Sequence, residues 1–198
     1  MRVIAGKFRS RPLRSMRGMD VRPTADRLRE TLFDVLTAGN PAALEGTVWL
    51  DLYAGTGAVG IEAVSRGAGM VYFVEAERSA AELIQANLRS LGITEGFQVL
   101  KQDVLRTLEK LSSESVAADF VFLDPPYRME ELYRNTLENL STISLLRSNG
   151  VIIAEHQKRF DPGERFGKLN RFRVVKQGDA ALSFYRTMEP GKLHTTNA

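Results

Sequence analysis

Beyond residue 46 the chain alternates apolar, strand-like runs with helical periods, and that alternation leaves few folds open. The runs fall at about 47–53, 70–75, 97–101, 118–124 and 149–155, with helical periods near 58–67, 79–91, 103–112 and 130–146. Strands separated by helices pair in parallel through right-handed crossovers, so a doubly wound α/β sheet covered on both faces is predicted. Trp49-Leu50 and Phe120-Val121-Phe122-Leu123 are apolar on both faces, as such a sheet requires. The last two runs, about 170–176 and 181–187, have no helix between them and predict an antiparallel hairpin at one sheet edge. The expected sheet is therefore seven-stranded and mostly parallel.

Upstream, Val3-Ile4-Ala5 and Phe8 through Leu13 read as extended runs about Gly6-Lys7, a small β-hairpin. Pro23 blocks helix before it, Thr24 can cap, and Leu28, Leu32, Val35 and Leu36 recur on one face until Gly39-Asn40-Pro41. The organisation expected is a hairpin arm over 1–22, one domain over 23–188 and a frayed tail over 189–198. The arm is strongly basic: residues 1–29 carry nine Arg or Lys against Asp20 and Asp26, a net of +7, and the other 169 residues carry −4. Such a basic arm on a mildly acidic body is a footprint for a polyanion. Arg9 and Arg11, alternating along an extended run, are expected on one face toward phosphates.

With 198 residues and no cysteine, the chain has room for one sizeable core and no thiolate chemistry, zinc-thiolate site or disulfide. Lys7-Phe8-Arg9-Ser10-Arg11 interrupts any leader-like apolar stretch, and no run approaches the ~20 apolar residues of a membrane span. A cytoplasmic protein with no membrane partner is expected.

Asp51-Leu52-Tyr53-Ala54-Gly55-Thr56-Gly57-Ala58-Val59-Gly60 follows the first core strand and opens a helix, the context in which a G-x-G-x-x-G sequence means a ligand loop. Glu75 ends the next strand, where a carboxylate can accept both hydroxyls of a ribose, and Asp103 follows the third. These positions suit an adenosyl ligand. An acidic residue four before the first glycine repels a pyrophosphate and attracts an ammonium, which favours S-adenosylmethionine over a dinucleotide. Asp51, Tyr53, Gly55, Thr56, Gly57, Glu75 and Asp103 are the expected cofactor contacts.

Asp124-Pro125-Pro126-Tyr127 closes the fourth strand at the carboxyl edge of the sheet. Two prolines stiffen the loop and turn its carbonyls outward, so that Asp124 and a carbonyl form a paired acceptor for an exocyclic amine. Tyr127 can stack on the same base. Acceptors for both amine hydrogens favour a pyramidal nitrogen and stabilise the charge that develops as it attacks a methyl group. Asp124, Pro125, Pro126 and Tyr127 are therefore the expected catalytic group.

Asp51 to Gly60, Glu75, Asp103 and Asp124 to Tyr127 resemble the ordered motifs of class I S-adenosylmethionine-dependent methyltransferases acting on amino nitrogens. With Gly6-Lys7-Phe8-Arg9-Ser10-Arg11-Pro12-Leu13 and Arg22-Pro23-Thr24-Ala25-Asp26-Arg27-Leu28-Arg29-Glu30, they resemble the bacterial RsmD family of 16S ribosomal RNA guanine-N2 methyltransferases. The resemblance covers residues 1 to about 187. It implies a Rossmann-like fold and methylation of one guanine of 16S rRNA, in the small ribosomal subunit or an assembly intermediate, by a monomeric enzyme. It also implies that Thr24, Arg27 and Glu30 line or close the cofactor site, and that Arg9, Arg11, Arg22, Arg27 and Arg29 meet RNA. The chain departs from the family pattern at Gln177-Gly178, where a Tyr-Gly pair is expected.

His156 and His194 have no partner at ligand spacing, and no metal is expected. Trp49 reads as core. Three other readings stay open: adenine-N6 methylation of DNA, since the loop suits either amine; a nicotinamide-dependent oxidoreductase, which would leave Asp124 to Tyr127 unexplained; and a non-catalytic RNA chaperone on the same fold.

Overall fold

The structure is a computed structural model and describes residues 1–15, 23–126 and 128–188, with no account of the side chains of 23–25. Helix α1 (Pro23–Thr37) precedes the alternation β1 (Val48–Leu52), α2 (Ala58–Ser65), β2 (Met70–Val74), α3 (Arg78–Leu91), β3 (Phe97–Leu100), α4 (Val104–Ser113), β4 (Ala118–Leu123), α5 (Glu130–Thr142) and β5 (Leu146–Gln157). Three antiparallel strands follow: β6 (Arg165–Phe166), β7 (Leu169–Gln177) and β8 (Ala180–Thr187). The sheet order is β3-β2-β1-β4-β5-β8-β7-β6, with the first five strands parallel. The doubly wound sheet is as expected, but with eight strands. The extra one, β6, is two residues folded back on Leu169 and Asn170, too short to leave a period-2 pattern.

Side chains alternate across the sheet into two cores. On one face Leu28, Leu32 and Phe33 of α1, Ile61 of α2 and Ile84 of α3 cover Trp49, Phe73, Ile153, Leu182 and Phe184. On the other, Leu108 of α4 and Tyr133, Leu137 and Leu140 of α5 cover Leu50, Leu52, Val121, Leu123 and Tyr185. Trp49 is fully buried between Phe33 (ring centroids 5.4 Å) and Phe120 (5.2 Å), the expected core position.

The arm is antiparallel but is not a two-residue hairpin. Val3 N–H donates to Arg11 O (3.0 Å), Ser10 N–H to Val3 O (2.9 Å) and Leu13 N–H to Met1 O (3.1 Å), around a 3₁₀ turn at Gly6–Phe8. The turn exists because the arm docks on α2. The buried Glu62 carboxylate accepts the N–H groups of Ile4 (2.7 Å) and Ala5 (2.9 Å), and Ser65 Oγ accepts that of Phe8 (3.0 Å). Gly6, at φ +78°, lies so close that a Cβ would stand 1.9 Å from Ser65 O. The tail over 189–198 lies outside the described residues.

Candidate active site

Strand order reverses between β1 and β4, so the crevice at their carboxyl ends is where an open α/β sheet takes a ligand. The glycine loop and Asp124 flank that crevice. Tyr53 (φ +58°), Gly55 (+54°) and Gly57 (+76°) all adopt left-handed backbone, and Gly57 N–H closes a tight turn on Ala54 O (2.7 Å) ahead of α2. Gly60 is held by space instead: a Cβ there would come within 2.4 Å of Phe73 and 2.9 Å of Asp51.

The acidic residues brace this loop. Glu75 accepts the N–H of Gly55 (2.9 Å) through one oxygen and that of Glu77 (2.9 Å) through the other. Asp103 is exposed and caps α4 by accepting Arg106 N–H (3.2 Å). Asp51 corrects the expectation of a carboxylate offered openly to an ammonium. It is 2% exposed, it accepts the N–H of Gly60 (2.9 Å), and burial lifts its pKa to about 8. The Tyr53 hydroxyl is turned to Thr136 Oγ1 (2.8 Å) on α5, so this residue anchors the loop through its ring end.

The register brings together a second group that the sequence reading did not connect. Leu52 pairs with Leu123 and Leu123 with Ala154; one step further, Asp124 and Glu155 stand side by side at the ends of β4 and β5. By alternation they project to the same face as Asp51. Asp124 is held well above the usual carboxylate range by desolvation, then by the negative charges of Glu155 and Asp51. Arg29 lies nearby on α1 and senses Asp26, Glu62 and Glu155, although burial, the larger effect, lowers its pKa. The signal for Glu155 was a single acid ending the apolar run Val151-Ile152-Ile153-Ala154.

Arg29 is a correction to the expected RNA contacts. It is 5% exposed, its Nη2 donates to Arg2 O (2.6 Å) and Asp26 (3.0 Å), and its Nε has no hydrogen-bond partner. It fastens the arm to α1 and cannot reach a phosphate. Arg9 and Arg11 do not share a strand face: Arg11 donates to Ser90 O (3.3 Å) at the end of α3. Arg9 instead lines a cleft of about 500 Å³ between arm and α1 with Arg2, Asp26, Arg27 and Glu30. Arg22 and Tyr127 lie outside the described residues, as does His194, and Thr24 is described only as backbone of α1.

The proline loop also differs from expectation. Pro126 O is not free, because it accepts Met129 N–H (2.8 Å) in the turn into α5. Pro125 O lies 3.4 Å from the Tyr133 hydroxyl, whose single proton has a shorter partner in Glu155 O at 2.9 Å. The Pro125 carbonyl, on a buried residue, is thus the loop oxygen left with only this long contact. Beside the loop a second cleft, of about 770 Å³, is lined by Arg128, Glu130, Gln157, Arg159, Phe160 and Asp161. His156 is buried within β5, with Nε2 on Ser183 Oγ (2.9 Å) and Nδ1 on Gln157 O (2.9 Å). Gln177, at the departure from the family pattern, accepts the Thr31 hydroxyl (2.7 Å) and so ties β7 to α1.

Residues 1–186 match the model of the family described as Conserved hypothetical protein 95. The chain belongs to this family. It is 32% identical over 186 residues to YlbH of Bacillus subtilis, a candidate rRNA methyltransferase, covering 94% of this chain and 98% of that one. With Ribosomal RNA small subunit methyltransferase D of Haemophilus influenzae it shares 34% over 159 residues, 80% of this chain and 79% of the relative. The solved structure of yhhF, a candidate methyltransferase from Escherichia coli, superposes with a TM-score of 0.79 at 26% identity, covering 94% and 97% of the two chains. The RsmD-type resemblance and the methyltransferase fold read in the sequence are thereby shown. A methyltransferase solved with S-adenosylhomocysteine shares the fold at 15% identity and a TM-score of 0.64 over 48% of its length. Among the described residues no helix is long and apolar enough to cross a membrane, and no cluster could hold a metal ion.

Proposed function

We propose that this protein transfers a methyl group from S-adenosylmethionine to the exocyclic N2 amine of a guanine in 16S rRNA. The observation that carries the reading is Asp124, set beside Glu155 at the end of β4 and across the strand-order reversal from the glycine loop. The site's chemistry fits the cofactor: carboxylates at the ends of β1, β2 and β3 suit a cationic, hydroxyl-rich ligand, whereas a pyrophosphate would meet only like charge. Glu75 and Asp103 would hold its ribose and adenine ends, and the backbone at Tyr53, Gly55, Thr56 and Gly57 would take its body, with Asp51 acting from behind the loop and Thr24 closing over it. When bound, that cofactor supplies an electrophilic methyl on a sulfonium.

The chain's residues then act on the amine. Asp124 and the Pro125 carbonyl accept its two hydrogens, which localises the nitrogen lone pair toward the methyl. The nitrogen, cationic once it has taken the methyl, would release its proton to Asp124. A carboxylate held above its usual range by burial and by Glu155 is a better acceptor for that proton than an ordinary aspartate. Arg9, Arg11 and Arg27 would meet phosphates, and the cleft at Arg128, Arg159 and Phe160 would take nucleotides flanking the target.

Adenine-N6 methylation of DNA would use the same acceptors, and the names of the rRNA methyltransferase relatives favour rRNA. The deciding assay offers tritiated S-adenosylmethionine with undermodified small-subunit particles, naked 16S rRNA and duplex DNA, followed by nucleoside analysis. N2-methylguanosine is expected from rRNA or particles. Label only as N6-methyladenine in DNA would overturn the reading.

A further inference from the structure

Charge in this chain has a second positive pole. Residues 163–188 carry Arg165, Lys168, Arg171, Arg173, Lys176 and Arg186 against Glu164 and Asp179, a net of +4, while residues 30–162 carry −8. This pole is the antiparallel end of the sheet, where β6 covers β7 only at Leu169 and Asn170. At that end the register of β7 against β8 slips between Arg171 and Arg173, so Phe172 is the extra residue of a β-bulge. Bulges re-aim side chains, and this one turns a phenylalanine outward: Phe172 is 45% exposed. Its ring touches buried Phe184 below (centroids 6.2 Å), and the exposed Arg186 guanidinium lies over it at 5.0 Å.

We infer that Phe172 and Arg186 form a stacking platform for an unpaired base of the RNA substrate, with Arg173, which pairs with Phe184 and so shares its face, on a flanking phosphate. An exposed ring under a guanidinium, with a further exposed cation, Arg173, beside it, is the composition that binds single-stranded RNA: π-faces for bases and positive charge for the backbone. Arg171 is not such a cation, since Asp161 and Glu164 hold it. Charge decides the occupant, because a second copy of this chain would set this positive end against itself. The platform also faces the right way: Phe184 belongs to the core beneath α1 and the basic arm, so both positive poles serve one side of the sheet. Leu123, Ala154, Ser183 and Val174 share one row of the sheet, which puts Phe172 about 16 Å from Asp124 by strand spacing and rise. A few nucleotides span that distance. The inference rests on the rRNA reading above.

The test measures binding of the full-length protein to naked 16S rRNA and to undermodified small-subunit particles across a salt series. Phe172→Leu, which keeps the contact with Phe184, should weaken binding roughly tenfold without changing the salt slope, and Phe172→Trp should restore it. Arg173→Gln should flatten the slope by roughly 0.7, whereas Lys176→Gln, on the opposite face, should leave it unchanged. Arg186→Gln should weaken binding like Phe172→Leu, and affinity for S-adenosylhomocysteine should stay at the wild-type value in all variants. Wild-type binding with no loss in the Phe172 and Arg186 variants overturns the platform and leaves the rRNA reading intact. No wild-type binding to either RNA overturns both. Sedimentation showing a wild-type dimer that Phe172→Leu dissociates would make this end a self-association face and overturn the platform.

Discussion

Asp124 differs from an ordinary surface aspartate in its neighbours. It ends an apolar strand with Glu155 alongside and Asp51 on the same face, and no cation among the described residues contacts it directly. Such a carboxylate binds a proton more tightly, which suits a group that must accept one from an amine. Asp124→Ala should therefore lower transfer by roughly 10²- to 10⁴-fold while the affinity for S-adenosylhomocysteine stays within about threefold by calorimetry. The same chemistry sets the pH profile. Because the pKa of Asp124 is raised, the wild-type rate should climb with pH well above the range where free aspartate has already ionised, and Glu155→Gln should move that climb to lower pH. An unshifted profile in Glu155→Gln would remove Glu155 from the proton's environment.

At the scale of elements, the glycine-loop turn and the docked arm show how a local sequence and a distant side chain divide the work. Gly6 can only sit where it does because it lacks a Cβ, and Glu62 satisfies two arm N–H groups that would otherwise be stranded against α2. Gly6→Ala should undock residues 1–15, giving faster hydrogen exchange at Ile4 and Ala5 and new proteolytic cleavage in the arm, with melting of the sheet lowered only slightly. Undisturbed exchange at those two amides would show that the arm is not held by this contact. The parallel strands were legible because both-face burial writes continuous apolar runs, and the observed ends differ from the expected ones by a residue or two. Strand β5 was less legible, since it begins at Leu146, the expected end of the preceding helix, and runs through the polar Arg147-Ser148 that carry no strand pattern. The arm's turn, the eighth strand and the partners of Glu62 and Asn87 were not legible at all. Asn87 of α3, for example, bonds Arg14 and the Thr56 carbonyl, 73 and 31 residues away in the chain, and nothing local announces such a pairing.

Over the whole molecule, the candidate site costs stability that the rest of the fold must offset. Asp51 is nearly inaccessible, with burial as the chief cause of a pKa lifted from 3.8 to about 8 and the negative charge of Glu75 adding to it against the Gly60 N–H. A group whose folded pKa lies above its unfolded one favours folding most when protonated. Its contribution is complete below about 4 and is lost as pH rises toward about 8. Asp124 acts in the same direction, so this row of acids strains the fold increasingly as pH rises through neutrality. Asp51→Asn keeps an oxygen for the Gly60 N–H and removes the titration. The melting temperature of this variant should therefore gain on wild type steadily between about pH 4 and 8 and run parallel above that. Curves that stay parallel throughout would mean that Asp51 titrates in the folded protein as it does in the unfolded chain, and that its burial exacts no cost in charge. The expected divergence would identify the acid row as an unneutralised site, ready for a ligand that brings positive charge.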